Sequence, residues 1–313
     1  MKVTVRVPAT TANMGPGFDC LGMSLDIWNT IIVDTDGVET NGVDTDGVDT
    51  DDGIVSVSGE GSDELSTGSD NLIYSCFKQV YDGMGLPVPD VRIFCENEIP
   101  LGRGLGSSSA AVAGGLLAGS KLSGANLSRQ RLLELACEIE GHPDNAAAAV
   151  MGGCRIVVSS GDGYLTESIA VPDELRAVVF VPDVPMPTKE ARGILPGMID
   201  RQDAVFNIGR TALLVNALAS GNLEHLGIAT EDMLHQPARQ KIFFPMKNIF
   251  RAAMAAGALG VFLSGAGSSV LALTRDREYT IGYEMADAAM KSGVEGAIKV
   301  TKPTALGAHV VDG

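Results

Sequence analysis

The chain has 313 residues, more than one ordinary core needs and enough for two domains of mixed type. With 45% hydrophobic and 20% charged residues it has the composition of a soluble globular protein, and a net charge of −16 argues against non-specific binding to nucleic acid or anionic lipid. No apolar run reaches the roughly 18 residues of a membrane span, and Met1–Pro8 alternates like a strand rather than a signal peptide; a cytoplasmic location is expected.

In chain order, Val3–Val7 and Trp28–Val33 read as strands joined by a loop rich in Asn, Gly and Pro. Residues 34–53 are an acidic insertion, a near-repeat with eight acids and no base. It lacks the register of an EF-hand loop and reads as a solvated excursion between strands rather than a calcium site. Ile54–Ser58 is a further strand, Ser69-Asp70-Asn71 begins a helix over Leu72–Tyr81, and Val91–Cys95 is again a strand. A glycine-rich loop then opens a helix of small residues. Leu127–Glu140 reads as a helix capped by Ser128, with Leu132, Leu135, Ala136 and Ile139 on one face and Glu134 and Glu138 on another. Gly152–Ser159, Arg176–Val181 and Ala308–Val311 are strands. A boundary near 160 would divide an N-terminal domain, 1–160, from a C-terminal one, 161–313. The irregular order of strands and helices favours α+β over a doubly wound sheet. Cys20, Cys76, Cys95, Cys137 and Cys154 form no CxxC pair and the histidines no HxxxH pair, so buried thiols are expected rather than disulfides or zinc.

The strongest chemical signal is the run Pro100, Leu101, Gly102, Arg103, Gly104, Leu105, Gly106, Ser107, Ser108, Ser109, Ala110. Its glycines let the backbone approach a ligand with N–H groups inward, and the serines open a helix whose first N–H groups lack internal partners. Such a terminus favours phosphate. The run is neither a GxxxxGK[ST] loop nor a Rossmann fingerprint; alone, it also fits a tight turn before a closely packed helix.

Three segments in order, residues 8–22 (PATTANMGPGFDCLG), 100–110 and 257–269 (GALGVFLSGAGSS), join with Glu140-Gly-His-Pro-Asp-Asn145 and Thr188-Lys-Glu-Ala-Arg192. On these motifs the chain resembles the GHMP superfamily of small-molecule kinases, and within it the homoserine kinase family. The resemblance implies an α+β, two-domain GHMP-kinase-like fold: an N-terminal ribosomal-protein-like domain, a C-terminal ferredoxin-like domain, and the active site in the cleft between them. It implies phosphorylation of the L-homoserine hydroxyl, with ATP, Mg2+ and a homodimeric enzyme. Residues 100–110 with Gly265 and Gly267 would bind the nucleotide, Asp70 and Asn71 would lie near adenine, and Ser108 and Glu134 would hold magnesium. Asn13 would meet the reacting hydroxyl and Asp19 the α-ammonium, while His142, Asn145, Thr188, Arg192 and Arg239 grip the acceptor. Asn13, Arg192 and Asp144 are the implied catalytic residues.

The chemistry agrees independently, because a zwitterion needs an acid and at least one guanidinium fork. Each residue also has a plainer reading: turn formers for Asn13 and Asp19, a solvated helix face for Glu134, a turn-stabilising role for His142, surface ion pairs for the arginines. Whether Asp144 acts as a base is open, since positioning and electrostatics can suffice for phosphoryl transfer. Ser268 stands where the third motif usually has proline, and its missing ring constraint predicts a looser loop. Rival readings are a related kinase acting on mevalonate or shikimate, a ligand sensor without transfer, and a calcium-dependent interaction protein.

Overall fold

A computed structural model describes residues 1–35, 53–161 and 163–311, so most of the acidic insertion, and the reading given to it, lies outside the described residues. β1 (Lys2–Ala12) and β2 (Leu21–Asp34) form a long antiparallel pair whose register shifts between Pro8 and Ala9. A proline, lacking an N–H, is tolerated at such an irregularity. β3 (Val55–Gly59) lies parallel to β4 (Arg92–Asn97), which pairs antiparallel with β2. Between them, α1 (Leu72–Met84) starts at Asn71, whose side chain accepts the Ile73 N–H, and stops at left-handed Gly85.

α2 (Ser107–Leu122), α3 (Arg129–Glu140) and α4 (Pro143–Met151) cover one face of this sheet. Ser128 caps α3 by accepting the Arg131 N–H at 3.2 Å, as the sequence predicts. The small residues of α2 are spacers: a Cβ on Gly115 would stand 2.4 Å from the Ile73 carbonyl, so α1 and α2 meet nearly backbone to backbone. β5 (Cys154–Ser160) and β6 (Gly163–Ile169) form a hairpin on the opening residues of β2.

The second unit contains β7 (Arg176–Pro182), α5 (Thr188–Gly193), α6 (Arg201–Ser220), α7 (Leu226–Ala229), α8 (Gln236–Arg239), α9 (Met246–Ala255), β8 (Gly260–Leu263), β9 (Val270–Thr274), α10 (Glu278–Lys291) and β10 (Gly296–Thr301). Its four strands are antiparallel in the order β10-β7-β9-β8, the ferredoxin-like arrangement. Burial on both faces accounts for the nearly continuous apolar runs of β7, β8 and β9, whereas the edge strand β10 carries Lys299 and stays partly exposed. Val178, Phe180, Val270 and Ala272 join a cluster with Ile249 of α9 and Met285 of α10, whereas Ala177, Val179, Leu271 and Leu273 face the larger core with Leu214 and Leu218 of α6.

The last strand, β11 (His309–Val311), returns to the first sheet and pairs with β1, Thr4 opposite Val311. The expected boundary at 160 therefore needs correction: it cuts the β5–β6 hairpin, and both β6 and β11 belong to the N-terminal sheet. β11 covers what would be the open edge of β1, a pairing that closes over the whole chain length and leaves no local mark. All five cysteines are free, four of them buried.

Candidate active site

A cleft of about 550 Å³ opens between the two units, bounded by the glycine-rich loop, the Glu140–Asn145 turn, α5, Arg239 and the β8–β9 loop. At one end the glycines are sterically required. Gly104 and Gly106 have φ of +75° and +73°, and a Cβ on them would stand 2.1 Å from the Ser264 carbonyl and 1.9 Å from Thr10 Oγ1. The loop carbonyls are held by neighbours: Gly102 by the Met186 N–H (3.1 Å), Arg103 by the Ser269 N–H (3.1 Å), Gly104 by the Ser264 hydroxyl (2.7 Å) and Leu105 by the Thr10 N–H (3.0 Å). Gly106 then begins α2 with no side chain to cap it, and Ser107, Ser108 and Ser109 of the first turn line the cleft. That is an anion-binding helix end.

Not every residue of the run faces ligand. Pro100, Leu105 and Ala110 are buried, and Leu101 partly so. Arg103 donates to the carbonyls of Leu101, Pro182 and Asp183, tying the loop to the second unit rather than to a phosphate. Gly265 lines the cleft, while Gly267 packs against Met186 and Leu263. Asp70 and Asn71 sit at the start of α1, not among the cleft residues; Asp70 accepts the Ser66 hydroxyl and Asn71 is engaged as the helix cap.

The expected metal pair, Ser108 and Glu134, is not brought together. Glu134 lies on the outer face of α3, ion-paired with Arg131 at 3.1 Å and absent from the cleft wall. Glu140 takes the place expected for it, receiving the hydroxyls of Ser108 and Ser109 at 2.5 Å each with its side chain 7% exposed. One turn beyond the buried Ala136 and Cys137, Glu140 is a charge on the helix's apolar face, and that was the missed sequence signal. A carboxylate with two hydroxyls is a hard-oxygen set of the kind magnesium takes together with phosphates. Among the described residues no cluster of three or more His, Cys, Asp or Glu would hold a metal by itself.

At the other end the groups are side chains. Asn13, at φ +65°, donates through Nδ2 to Gly265 O (2.8 Å) and accepts the Asp19 N–H (3.0 Å), so it fastens its loop to the third motif while lining the cleft. Arg192 grips Asp19 in a fork, at 3.0 and 2.5 Å, and Asp19 chiefly holds the guanidinium pKa above its ordinary value. Arg239 is 1% exposed; burial, aided by nearby Arg192, pushes its pKa down to about 10, which leaves it cationic at neutral pH. Phe18 faces both guanidinium groups, at 5.5 Å from Arg192 and 5.6 Å from Arg239.

Thr188 opens α5 on the cleft wall beside Lys189. His142 precedes α4 without capping it; its Nδ1 stands 3.3 Å from Asp144 and its Nε2 3.9 Å from Glu140, and Asp144 chiefly raises its pKa. Buried Asp144 also accepts the Asn145 N–H, and Asn145 Oδ1 accepts the Thr10 hydroxyl at 2.7 Å. Ser268, where a looser loop is expected for want of proline, is buried and donates to Val184 O at 2.6 Å, a tether that proline could not make.

Comparison with known proteins places the chain in a family. The family descriptions "GHMP kinases N terminal domain" and "GHMP kinases C terminal" match residues 71–153 and 214–289. A homoserine kinase of Moorella thermoacetica is 37% identical over 98% of this chain and 99% of its own. One of Caldanaerobacter subterraneus is 42% identical, covering 87% and 83%. The crystal structure of homoserine kinase from Cytophaga hutchinsonii superposes with a TM-score of 0.83 at 28% identity, over 99% of this chain and 97% of that one. L. major mevalonate kinase, at 16% identity, TM-score 0.67 and 95% of each chain, shares the fold alone. With its phosphate-type helix end, its serine–carboxylate cluster and relatives matched over nearly their full length, the chain belongs to the homoserine kinase family of GHMP kinases.

Proposed function

We propose that this protein transfers the γ-phosphoryl group of ATP to the side-chain hydroxyl of L-homoserine, forming O-phospho-L-homoserine for threonine biosynthesis. The observation that carries this reading is the division of one cleft into an uncapped helix terminus beside Ser108, Ser109 and Glu140 and, opposite, two arginines with Asp19. The first suits a triphosphate and the second an amino-acid zwitterion; mevalonate and shikimate have no ammonium for Asp19 to bind.

Ser108 and Glu140 would hold Mg2+, which when bound neutralises charge across the phosphate oxygens. The amides of Ser107–Ser109 bind and orient the phosphates with fixed dipoles. Arg239 and Arg192 take the carboxylate. Asp19 has lone pairs beyond the two used by Arg192, so it can bridge that arginine and the substrate ammonium. Held from both sides, the hydroxyl is presented in line, which is most of what this reaction requires. Asp144, beside His142, is the candidate proton acceptor; a full-rate Asp144→Asn enzyme would remove it from that role. A homodimer and a cytoplasmic location accompany this reading, and none of the described helices is long and apolar enough to cross a membrane.

The test is ADP release with ATP and Mg2+, offering L-homoserine, mevalonate, shikimate, L-serine or no acceptor. Release with homoserine alone is expected. Release with another acceptor would overturn the substrate, and no release with any would favour the sensor.

A further inference from the structure

His235 is completely buried four residues before Arg239, and each of its two ring nitrogens has one hydrogen-bond partner, with Asp232 Oδ2 a further acceptor 3.6 Å from Nε2. Nε2 lies 2.8 Å from the Gly15 carbonyl, which only accepts, and Nδ1 lies 2.8 Å from Arg239 Nη1, which only donates. The ring is therefore the neutral Nε2–H tautomer, donating to the acceptor-binding loop on one side and receiving the arginine on the other. Its backbone is fixed as well. Asp232 Oδ2 accepts the N–H groups of His235 (3.0 Å) and Gln236 (2.7 Å), and Asp232 Oδ1 accepts Asn207 Nδ2 (2.7 Å). Asn207 Nδ2 also reaches Pro16 O at 3.1 Å. Phe18 stacks on the imidazole at 5.3 Å. One buried assembly thus joins the loop bearing Asn13 and Asp19 to Arg239.

We propose that His235 is a positioning residue that aims Arg239 at the acceptor carboxylate and sets its spacing from Asp19, so that the pair selects an α-amino acid. This rests on the reading of the acceptor end given above. A neutral ring is needed, because a protonated Nδ1 would face a guanidinium with no lone pair. Burial, assisted by Arg239 and opposed by Asp232 and Asp19, pushes the His235 pKa down to about 4, so the acceptor persists at neutral pH. Asp232, Arg239 and Asp19 are the charged groups acting on it.

The experiment compares L-homoserine with 3-aminopropan-1-ol, which keeps the amine and hydroxyl and lacks the carboxylate. In His235→Leu, kcat/KM for homoserine should fall ~30-fold, mainly through KM, and several-fold more than for the amino alcohol, while the ATP KM moves less than ~2-fold. His235→Asn, which keeps an acceptor near Nδ1, should recover much of the preference. His235→Gln, which reaches toward Gly15 but offers Arg239 little, should not. A uniform loss with both acceptors, or an Asn variant no better than Gln, would overturn the proposal. If His235→Leu does not fold, the Asn–Gln pair decides. Arg239→Met checks the underlying reading separately: unchanged preference there would mean that Arg239 does not bind the carboxylate.

Discussion

On the proposed function, the groups offered to ligand at the phosphate end of the cleft are backbone amides from one helical turn, Ser107–Ser109, with their carboxylate neighbour Glu140 reached through the serine hydroxyls. At the acceptor end they are side chains drawn from distant parts of the chain: Arg192 and Asp19 are 173 residues apart and make a two-point ion pair. Asn13 and Arg239 both bind the same carbonyl, Gly265 O. On that reading the phosphate end depends on the backbone path as well as on Glu140, whereas the acceptor end is built of side chains that can be changed one at a time.

The largest effect should come from the backbone path. Gly104→Ala would drive a Cβ into the Ser264 carbonyl at a φ unsuited to alanine, and kcat/KM should fall ~10³-fold with ATP affinity most affected. Steady-state kinetics with varied ATP, alongside thermal unfolding, separates lost binding from lost fold. Next, Glu140→Gln should lower kcat ~10²-fold while Glu134→Gln stays within ~2-fold; the reverse order would restore the original metal assignment. Arg192→Ala should raise the homoserine KM ~30-fold and leave the ATP KM within ~2-fold, and equal changes in both would break the distinction between the two ends.

Smaller effects follow away from the ligands. Ser268→Ala loses the bond to Val184 and should cost about 1 kcal/mol, or ~2–4 °C in Tm, with kcat little changed. His142 titrates higher in the folded protein, held up chiefly by Asp144. Its contribution to stability is then complete below the ordinary histidine pKa and fades as pH rises through the raised one. The stability difference between the parent protein and His142→Asn should accordingly be greater at about pH 5.5 than at about pH 8.5, by denaturant titration. A difference growing with pH would refute the assigned environment.

Much of the local architecture was legible. Asn71 and Ser128 announced the helices they cap, because a cap is a bond between near neighbours. The stripe of α3 was read nearly in place, although burial centres on Leu132, Leu133, Ala136 and Cys137 and leaves Leu135 and Ile139 half-covered. Glu140 falls on that stripe eight residues after Leu132, but which residues it meets depends on where α3 packs against α2. Residue type alone hid the partners of the acceptor-loop residues: Asn13 is a turn residue that also lines the cleft, and Asp19 is a turn residue that reaches the cleft wall through Arg192.

The helix caps and the glycine run that opens α2 were readable from the residues alone, since each depends on neighbours within a few positions. Only the tertiary structure decided that β11 closes the edge of β1, that Glu140 rather than Glu134 meets the serines, and that His235 stands between Gly15 and Arg239. Those outcomes depend on which distant groups share a water-poor interior, where every donor must find an acceptor and the choice of partner fixes both tautomer and charge.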